Sequence, residues 1–156
     1  MLLLIGFGVK TGVLGLHVAL PLAYGVTPAP GAAALASAMI KAGLLGWLRF
    51  LPLGFPVPEW SAIFIALGLA AALYGVVIGL VQREPKVILA YSSISQMGLI
   101  TVGVGLGLAA PAAAVPALFA LTLYALHHAL VKGALFLGEG LHRAAAGCLP
   151  DSCCWH

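Results

Sequence analysis

Residues 6–50, with the sequence GFGVKTGVLGLHVALPLAYGVTPAPGAAALASAMIKAGLLGWLRF, decide the fold of this chain. They form two apolar segments, each with a lysine in its interior, joined by a turn rich in proline and glycine. Lys10 and Lys41 lie away from the expected helix ends. A lysine at the centre of a bilayer costs about 2.5–3.5 kcal/mol on insertion scales, so we interpret both as functional residues in a polar interior. The alternative is a structural role, in which each lysine binds the carbonyl groups of a broken helix.

The composition of the chain indicates a lipid environment. Of its 156 residues, 63% are hydrophobic and 7% are charged, and the mean hydropathy is +1.15. Globular domains carry about 25% charged residues, so this chain has too few to cover itself with a polar surface. The net charge of +3 includes no basic patch, which argues against a nucleic-acid partner. The start, MLLLIGFG, lacks the positive region of a signal peptide and is expected to enter a membrane segment directly.

The pattern of apolar runs predicts an all-α, polytopic transmembrane helix bundle with about five spanning helices. Residues 1–140 form the membrane segment, and residues 141–156 form a short tail. Predicted helices A to E cover residues 2–22, 31–51, 60–81, 87–108 and 115–137. Glycines and a proline weaken helix A, so a break after Lys10 is expected. Helix C carries no charge and is the clearest spanning segment.

Predicted helix E carries a polar stripe at steps of four residues: Tyr124, His128 and Lys132. His127 lies about 100° from His128 around the helix, so only one of them is expected to face the stripe, and His128 is the choice. Glu139 follows Lys132 by seven residues. It pairs with Lys132 or marks the end of the helix.

The predicted intramembrane groups contain no acidic residue. His17 follows Lys10 by two turns and can share its face, although it can equally be an interfacial residue. Desolvation and repulsion between cations favour the neutral form of a buried lysine, and histidine titrates near neutral pH. A chain of such groups across the membrane is what a proton relay requires. The relay residues we predict are Lys10, Lys41, His128, Lys132, His17 and Tyr124. The serine and glutamine cluster of helix D is interpreted as contact between helices.

The basic residues of the loops predict the orientation. The loops after helices A and C, together with the tail, carry Arg83, Lys86 and Arg143, whereas the loop between B and C carries Arg49. The positive-inside rule therefore predicts a multi-pass protein of the cell inner (plasma) membrane, with the A–B loop, the C–D loop and the C-terminus in the cytoplasm. The tail cysteines, Cys148, Cys153 and Cys154, match no zinc spacing, so no metal site is predicted.

Three stretches resemble one family of membrane proteins. They are residues 6–50, QREPKVILAYSSISQMG at 82–98, and HALVKGALFLGEG at 128–140. In this order they are similar to the proton-conducting, antiporter-like subunits of respiratory NADH–quinone oxidoreductase, of membrane-bound hydrogenases of the hydrogenase-4 type, and of multisubunit sodium/proton antiporters. The resemblance implies that Lys10 is the pumping lysine of a broken helix. Lys41, His128 and Lys132 would be the next links of a central polar axis.

The chain departs from the family pattern at several positions. Gly15 stands where a proline usually precedes Leu-His. Leu22 and Tyr24 stand where many members have aspartate and histidine, and Tyr124 stands where some have histidine. Family members are also several times longer, so the chain corresponds to their central helices and is expected to be a fragment or one piece of a split subunit. The helix whose glutamate would partner Lys10 falls outside this correspondence.

The function we predict is proton translocation within a redox-driven complex, with other membrane subunits as partners. No cofactor site is legible, and catalysis would belong to the complex rather than to this chain. One alternative is a sodium/proton antiporter subunit, which a sodium dependence of transport would reveal. The other is a non-conducting, truncated remnant, which the missing acidic partner and the unfamiliar tail favour. The sequence does not identify the electron donor or the oligomeric state.

Overall fold

The computed structural model describes residues 2–12, 19–51, 58–110, 112 and 114–145. All the regular structure in these ranges is helical, which confirms the all-α prediction. The helices are α1 (Leu2–Thr11), α2 (Ala19–Val26), α3 (Ala29–Phe50), α4 (Pro58–Val81), α5 (Pro85–Ala109) and α6 (Ala114–Ala145).

Four of these described helices, α3 to α6, are long and apolar enough to cross a membrane. The 24 residues of α4 extend about 36 Å at 1.5 Å per residue, which exceeds the hydrocarbon thickness of about 30 Å. The predicted first span is divided between α1 and α2, and part of it lies outside the described residues. The break after Lys10 is present: α1 ends at Thr11, and Gly12 has a φ of 75°, a value that L side chains rarely adopt.

The last helix corrects the predicted boundary. Helix E was predicted to end at residue 137, but α6 continues to Ala145 and includes the first five residues of the predicted tail. Arg143 forms an ion pair with Glu139 one turn earlier and approaches Glu84 before α5, and these contacts stabilise the final turns. Smaller shifts occur elsewhere, since α2 reaches Val26 rather than residue 22.

Glycines bring α4 and α5 into close contact as an antiparallel hairpin. A Cβ added at Gly68 would lie 2.7 Å from the carbonyl oxygen of Gly98, and one added at Gly75 would lie 2.7 Å from the backbone nitrogen of Ser95. Such approaches are possible only for residues without a side chain, as is common where membrane helices meet. The hairpin supports α6 and α2 on α5, and α6 also packs on the first half of α3. The core lies between α3, α5 and α6.

Candidate functional site

Lys132 is buried in the middle of this core. Its side chain on α6 is 3% exposed, and Nζ donates a hydrogen bond of 2.8 Å to the carbonyl oxygen of Leu89 on α5. The same carbonyl accepts a hydrogen bond of 3.0 Å from Ser93 Oγ. Among the described residues, Lys132 is therefore held by the dipole of a main-chain carbonyl group and not by a carboxylate. A polar intramembrane residue with such a partner is the arrangement expected of a functional site.

His128 lies one turn before Lys132 on the same face. It is 5% exposed, whereas the neighbouring His127 is exposed. Neither ring nitrogen of His128 has a hydrogen-bond partner among the described residues. An imidazole accepts a proton at one nitrogen and releases one from the other, so this ring has the chemistry of a relay group.

Lys41 approaches the pair from α3. Its helix contains a π-helical turn at Leu35–Met39, and Lys41 Nζ donates a hydrogen bond to the carbonyl oxygen of Ala36 within that turn. A π-turn inserts one residue into the helix and disturbs the regular pairing of carbonyl groups, and such turns are frequent at functional sites. Lys41 is half-buried, and its helix packs on α6 beside Lys132, because a Cβ added at Gly133 would lie 3.9 Å from the Cβ of Ser37, one turn before Lys41.

The three nitrogen bases cannot all carry a charge without strong repulsion between them. No acidic side chain forms an ion pair with Lys41 or Lys132 among the described residues. A proton added to one base raises the free energy of a proton on either of the others. This coupling is the physical condition for moving a proton along the line when the local charge changes.

Lys10 does not lie with Lys41, His128 and Lys132 in the structure. It lies in the last turn of α1, and its side chain is exposed. The backbone of α1 comes close to α3 there, because a Cβ added at Gly43 would lie 3.0 Å from Lys10 Cβ. The expectation that Lys10 faces the interior of the bundle is therefore not met by the described residues. Its Cβ lies against α3 at Gly43, and the residue as a whole is exposed.

Of the other two predicted relay residues, the structure describes Tyr124. Tyr124 is 36% exposed, and its hydroxyl group donates a hydrogen bond to Gln96 Oε1, which links α6 to α5. Its place one turn before His128 puts it at the edge of the buried stripe. His17 lies outside the described residues.

Two buried groups beyond Lys132 are not among the predicted relay residues. Tyr24 on α2 is completely buried, and its ring packs on Phe136 with 5.0 Å between the ring centroids. The hydroxyl group of Tyr24 has no hydrogen-bond partner among the described residues. Glu139 forms an ion pair with Arg143 and lies six residues before the end of α6, so neither predicted role of this carboxylate is met. A departure from the family pattern was the signal available for Tyr24.

The described residues contain no group of three histidine, cysteine, aspartate or glutamate side chains that could hold a metal ion. The three cysteines lie outside the described residues.

The family can now be assigned by comparison with known proteins. The family model described as NADH:quinone oxidoreductase/Mrp antiporter, transmembrane, matches residues 1–146. The chain belongs to this family. The resemblance found in the sequence is thereby confirmed, and the membership agrees with the helical, membrane-spanning architecture.

Relatives in the antiporter-like family come from three kinds of protein. Formate hydrogenlyase subunit 3 of Escherichia coli is 38% identical over 142 residues, which cover 87% of this chain and 23% of that protein. NADH-quinone oxidoreductase subunit N of Desulforudis audaxviator is 36% identical over 139 residues, which cover 86% and 26%. A putative antiporter subunit, mnhA2, of Staphylococcus aureus is 37% identical over 156 residues, which cover 94% and 19%. The chain spans about a quarter of the length of the first two relatives.

Proposed function

We propose that this chain translocates protons as part of an antiporter-like subunit of a redox-driven membrane complex, of the NADH–quinone oxidoreductase or membrane-bound hydrogenase type. The observation that carries the proposal is the group of three bases between α3 and α6: the buried His128 and Lys132 and the half-buried Lys41. Each basic side chain at membrane depth costs insertion free energy, so three neighbouring bases are expected to be retained for a function. Proton transfer along a relay is such a function.

In the proposed mechanism, the line holds a proton and passes it on when the charge at one end changes. Protonation of Lys132 would be stabilised by the Leu89 carbonyl, and protonation of Lys41 by the Ala36 carbonyl. His128, with both nitrogens free of described partners, would carry the proton between them. Lys10, on the exposed face of α1, would connect the line to a segment that packs against that face. His17 and Tyr124 are proposed as accessory groups at the edges.

The proposal includes partners and an orientation. Relatives named as subunits of oxidoreductase and hydrogenlyase support neighbouring membrane subunits that supply the driving force. The protein is a multi-pass membrane protein, and we propose the inner (plasma) membrane as its site. The α2–α3 turn, the α4–α5 loop and the C-terminus would face the cytoplasm, because basic residues concentrate there.

Driven proton flux in sealed vesicles tests the proposal. The vesicles contain the chain with its neighbouring subunits, and the initial rate of internal acidification is followed with a pH-sensitive dye. Lys41→Ala is expected to abolish the flux. Lys86→Ala, at the start of α5, is the matched control and should retain it. Equal flux in both variants would contradict the relay.

A sodium/proton antiporter subunit is the second candidate. The Staphylococcus aureus relative, which is named as a putative antiporter subunit, favours it. The same vesicles distinguish the two functions. A proton flux that requires an imposed sodium gradient, and that needs no electron donor, would indicate an antiporter. A chain that never conducts with either driving force would be the non-conducting remnant.

A further inference from the structure

The buried face of α6 continues beyond Lys132 to the end of the bundle. Glu139 follows Lys132 by seven residues, which turn a helix by about 700° and so return to nearly the same face. Its side chain is 11% exposed, its carboxylate oxygens are buried, and it forms an ion pair with Arg143. Arg143 Nη2 also lies 3.9 Å from Glu84 Oε2, in the loop before α5. A carboxylate therefore stands between Lys132 and the loop end of the bundle.

The amine of Lys132 is bound near that end of α5. Its acceptor is the carbonyl oxygen of Leu89, which lies five residues into α5 from Glu84, or about 7.5 Å along the helix axis. The backbone of Lys132 lies about 10.5 Å along α6 from that of Glu139. Because α5 and α6 run antiparallel, the first turns of α5 and the last turns of α6 lie at the same end of the bundle, and the hydrogen bond to Leu89 holds the amine in that half.

Tyr24 lies beside the stretch of α6 between Lys132 and Glu139. Its ring packs on Phe136, which occupies the α6 position between Lys132 and Glu139. Tyr24 is completely buried, and its hydroxyl group has no partner among the described residues. A phenol hydroxyl donates and accepts hydrogen bonds, so it can accept one proton and release another.

We propose that Glu139 is the group through which Lys132 exchanges protons with the water at the loop end of the bundle, with the Tyr24 hydroxyl and water molecules between them. Lys132 is 3% exposed and needs such a route to reach bulk water. The assignment rests on the proposed proton relay and adds an aqueous access route to it.

The inward step moves one proton, with its charge, from the water at the loop end to Lys132. A hydronium ion gives a proton to the carboxylate of Glu139 and leaves as water. The carboxylic acid so formed releases its proton towards Tyr24 and becomes a carboxylate again. The hydroxyl oxygen of Tyr24 accepts a proton from that side and releases its own on the other side. The neutral amine of Lys132 takes up that proton and becomes an ammonium group. The outward step is the reverse.

The test is driven proton flux in vesicles that contain the chain with its neighbouring subunits, at matched expression. Glu139→Gln removes the titratable group and is expected to lower the flux at least about tenfold, within the range of a positioned proton-transfer group. Glu139→Asp keeps the carboxylic acid and should restore a large part of the flux. Arg143→Gln is the matched control, since it breaks the same ion pair and leaves the carboxylate. It should retain at least about half of the flux.

Tyr24→Phe keeps the ring on Phe136 and removes the hydroxyl group, so it should lower the flux without loss of the folded protein. Lys132→Ala, measured in parallel, separates the two proposals. If Lys132→Ala abolishes flux while Glu139→Gln retains it, the access route is wrong and the relay stands. If Lys132→Ala conducts normally, the relay itself is wrong. If Arg143→Gln loses as much flux as Glu139→Gln, the ion pair rather than the proton is what matters, and the access route is overturned.

Discussion

Replacement of Lys132 by methionine should abolish proton flux and yet leave the protein at least as stable. The lysine is 3% exposed, and its hydrogen bond to the Leu89 carbonyl is its only described polar contact. Methionine fills a similar volume with a flexible apolar chain. The change therefore isolates the cost of keeping a basic group at this position from the packing that surrounds it.

The magnitude follows from two opposing contributions. A lysine at membrane depth costs about 2.5–3.5 kcal/mol on insertion scales. A hydrogen bond between membrane helices contributes about 0.6–2 kcal/mol. The Leu89 carbonyl keeps the hydrogen bond from Ser93 when the lysine is removed, so no carbonyl oxygen is left without a partner. We therefore expect Lys132→Met to raise the free energy of unfolding by about 1–2 kcal/mol.

The assay is reversible unfolding of the purified subunit in mixed detergent and SDS micelles, followed by helical circular dichroism. Leu130→Met on the lipid-facing side of α6 is the matched control and should change stability by less than about 0.5 kcal/mol. A loss of more than about 1 kcal/mol in Lys132→Met would refute the reasoning, because it would show that the lysine is retained for structure.

Further predictions concern packing and the edges of the site. Gly98→Val should destabilise the α4–α5 hairpin by about 1–3 kcal/mol in the same unfolding assay, since its Cβ would lie 2.6 Å from α4 backbone atoms. Gly138→Ala meets nothing within 4 Å and should be neutral or slightly stabilising. Tyr124→Phe should reduce driven proton flux far less than His128→Leu, because Tyr124 is partly exposed and bonded to α5. Lys86→Met loses a hydrogen bond to the turn before α3 and should lower stability by less than about 1 kcal/mol, with flux retained.

The spanning helices could be predicted wherever one segment alone decides the structure. Helix C was predicted at 60–81 and is observed at Pro58–Val81, because a long apolar run is preceded by a proline-rich stretch and followed by Gln82 and Arg83. The end of α6 could not be found in this way. Gly138 and Gly140 suggest a helix end, and the contact that stabilises the last turns reaches Glu84, far away in the sequence.

The candidate site likewise has features that local sequence predicts and features that depend on how the helices pack. The steps of four residues place His128 and Lys132 on one face, and both are buried there. The hydrogen bond from Lys132 to the Leu89 carbonyl depends on how α5 and α6 align, and no local sequence pattern predicts that alignment. The exposure of Lys10 depends likewise on how α1 is placed against α3. The burial of Tyr24 depends on its contact with Phe136.

The number of protons translocated per substrate turnover is the most direct test of whether Lys41 and Lys132 form one proton path. It is measured in sealed vesicles that contain the chain with its neighbouring subunits, in the native protein and in Lys41→Ala and Lys132→Ala variants, with electron transfer recorded in the same sample. Both variants are expected to lower the proton-to-turnover ratio by the same amount, because the two lysines serve one path. An unchanged ratio in both variants would contradict the relay.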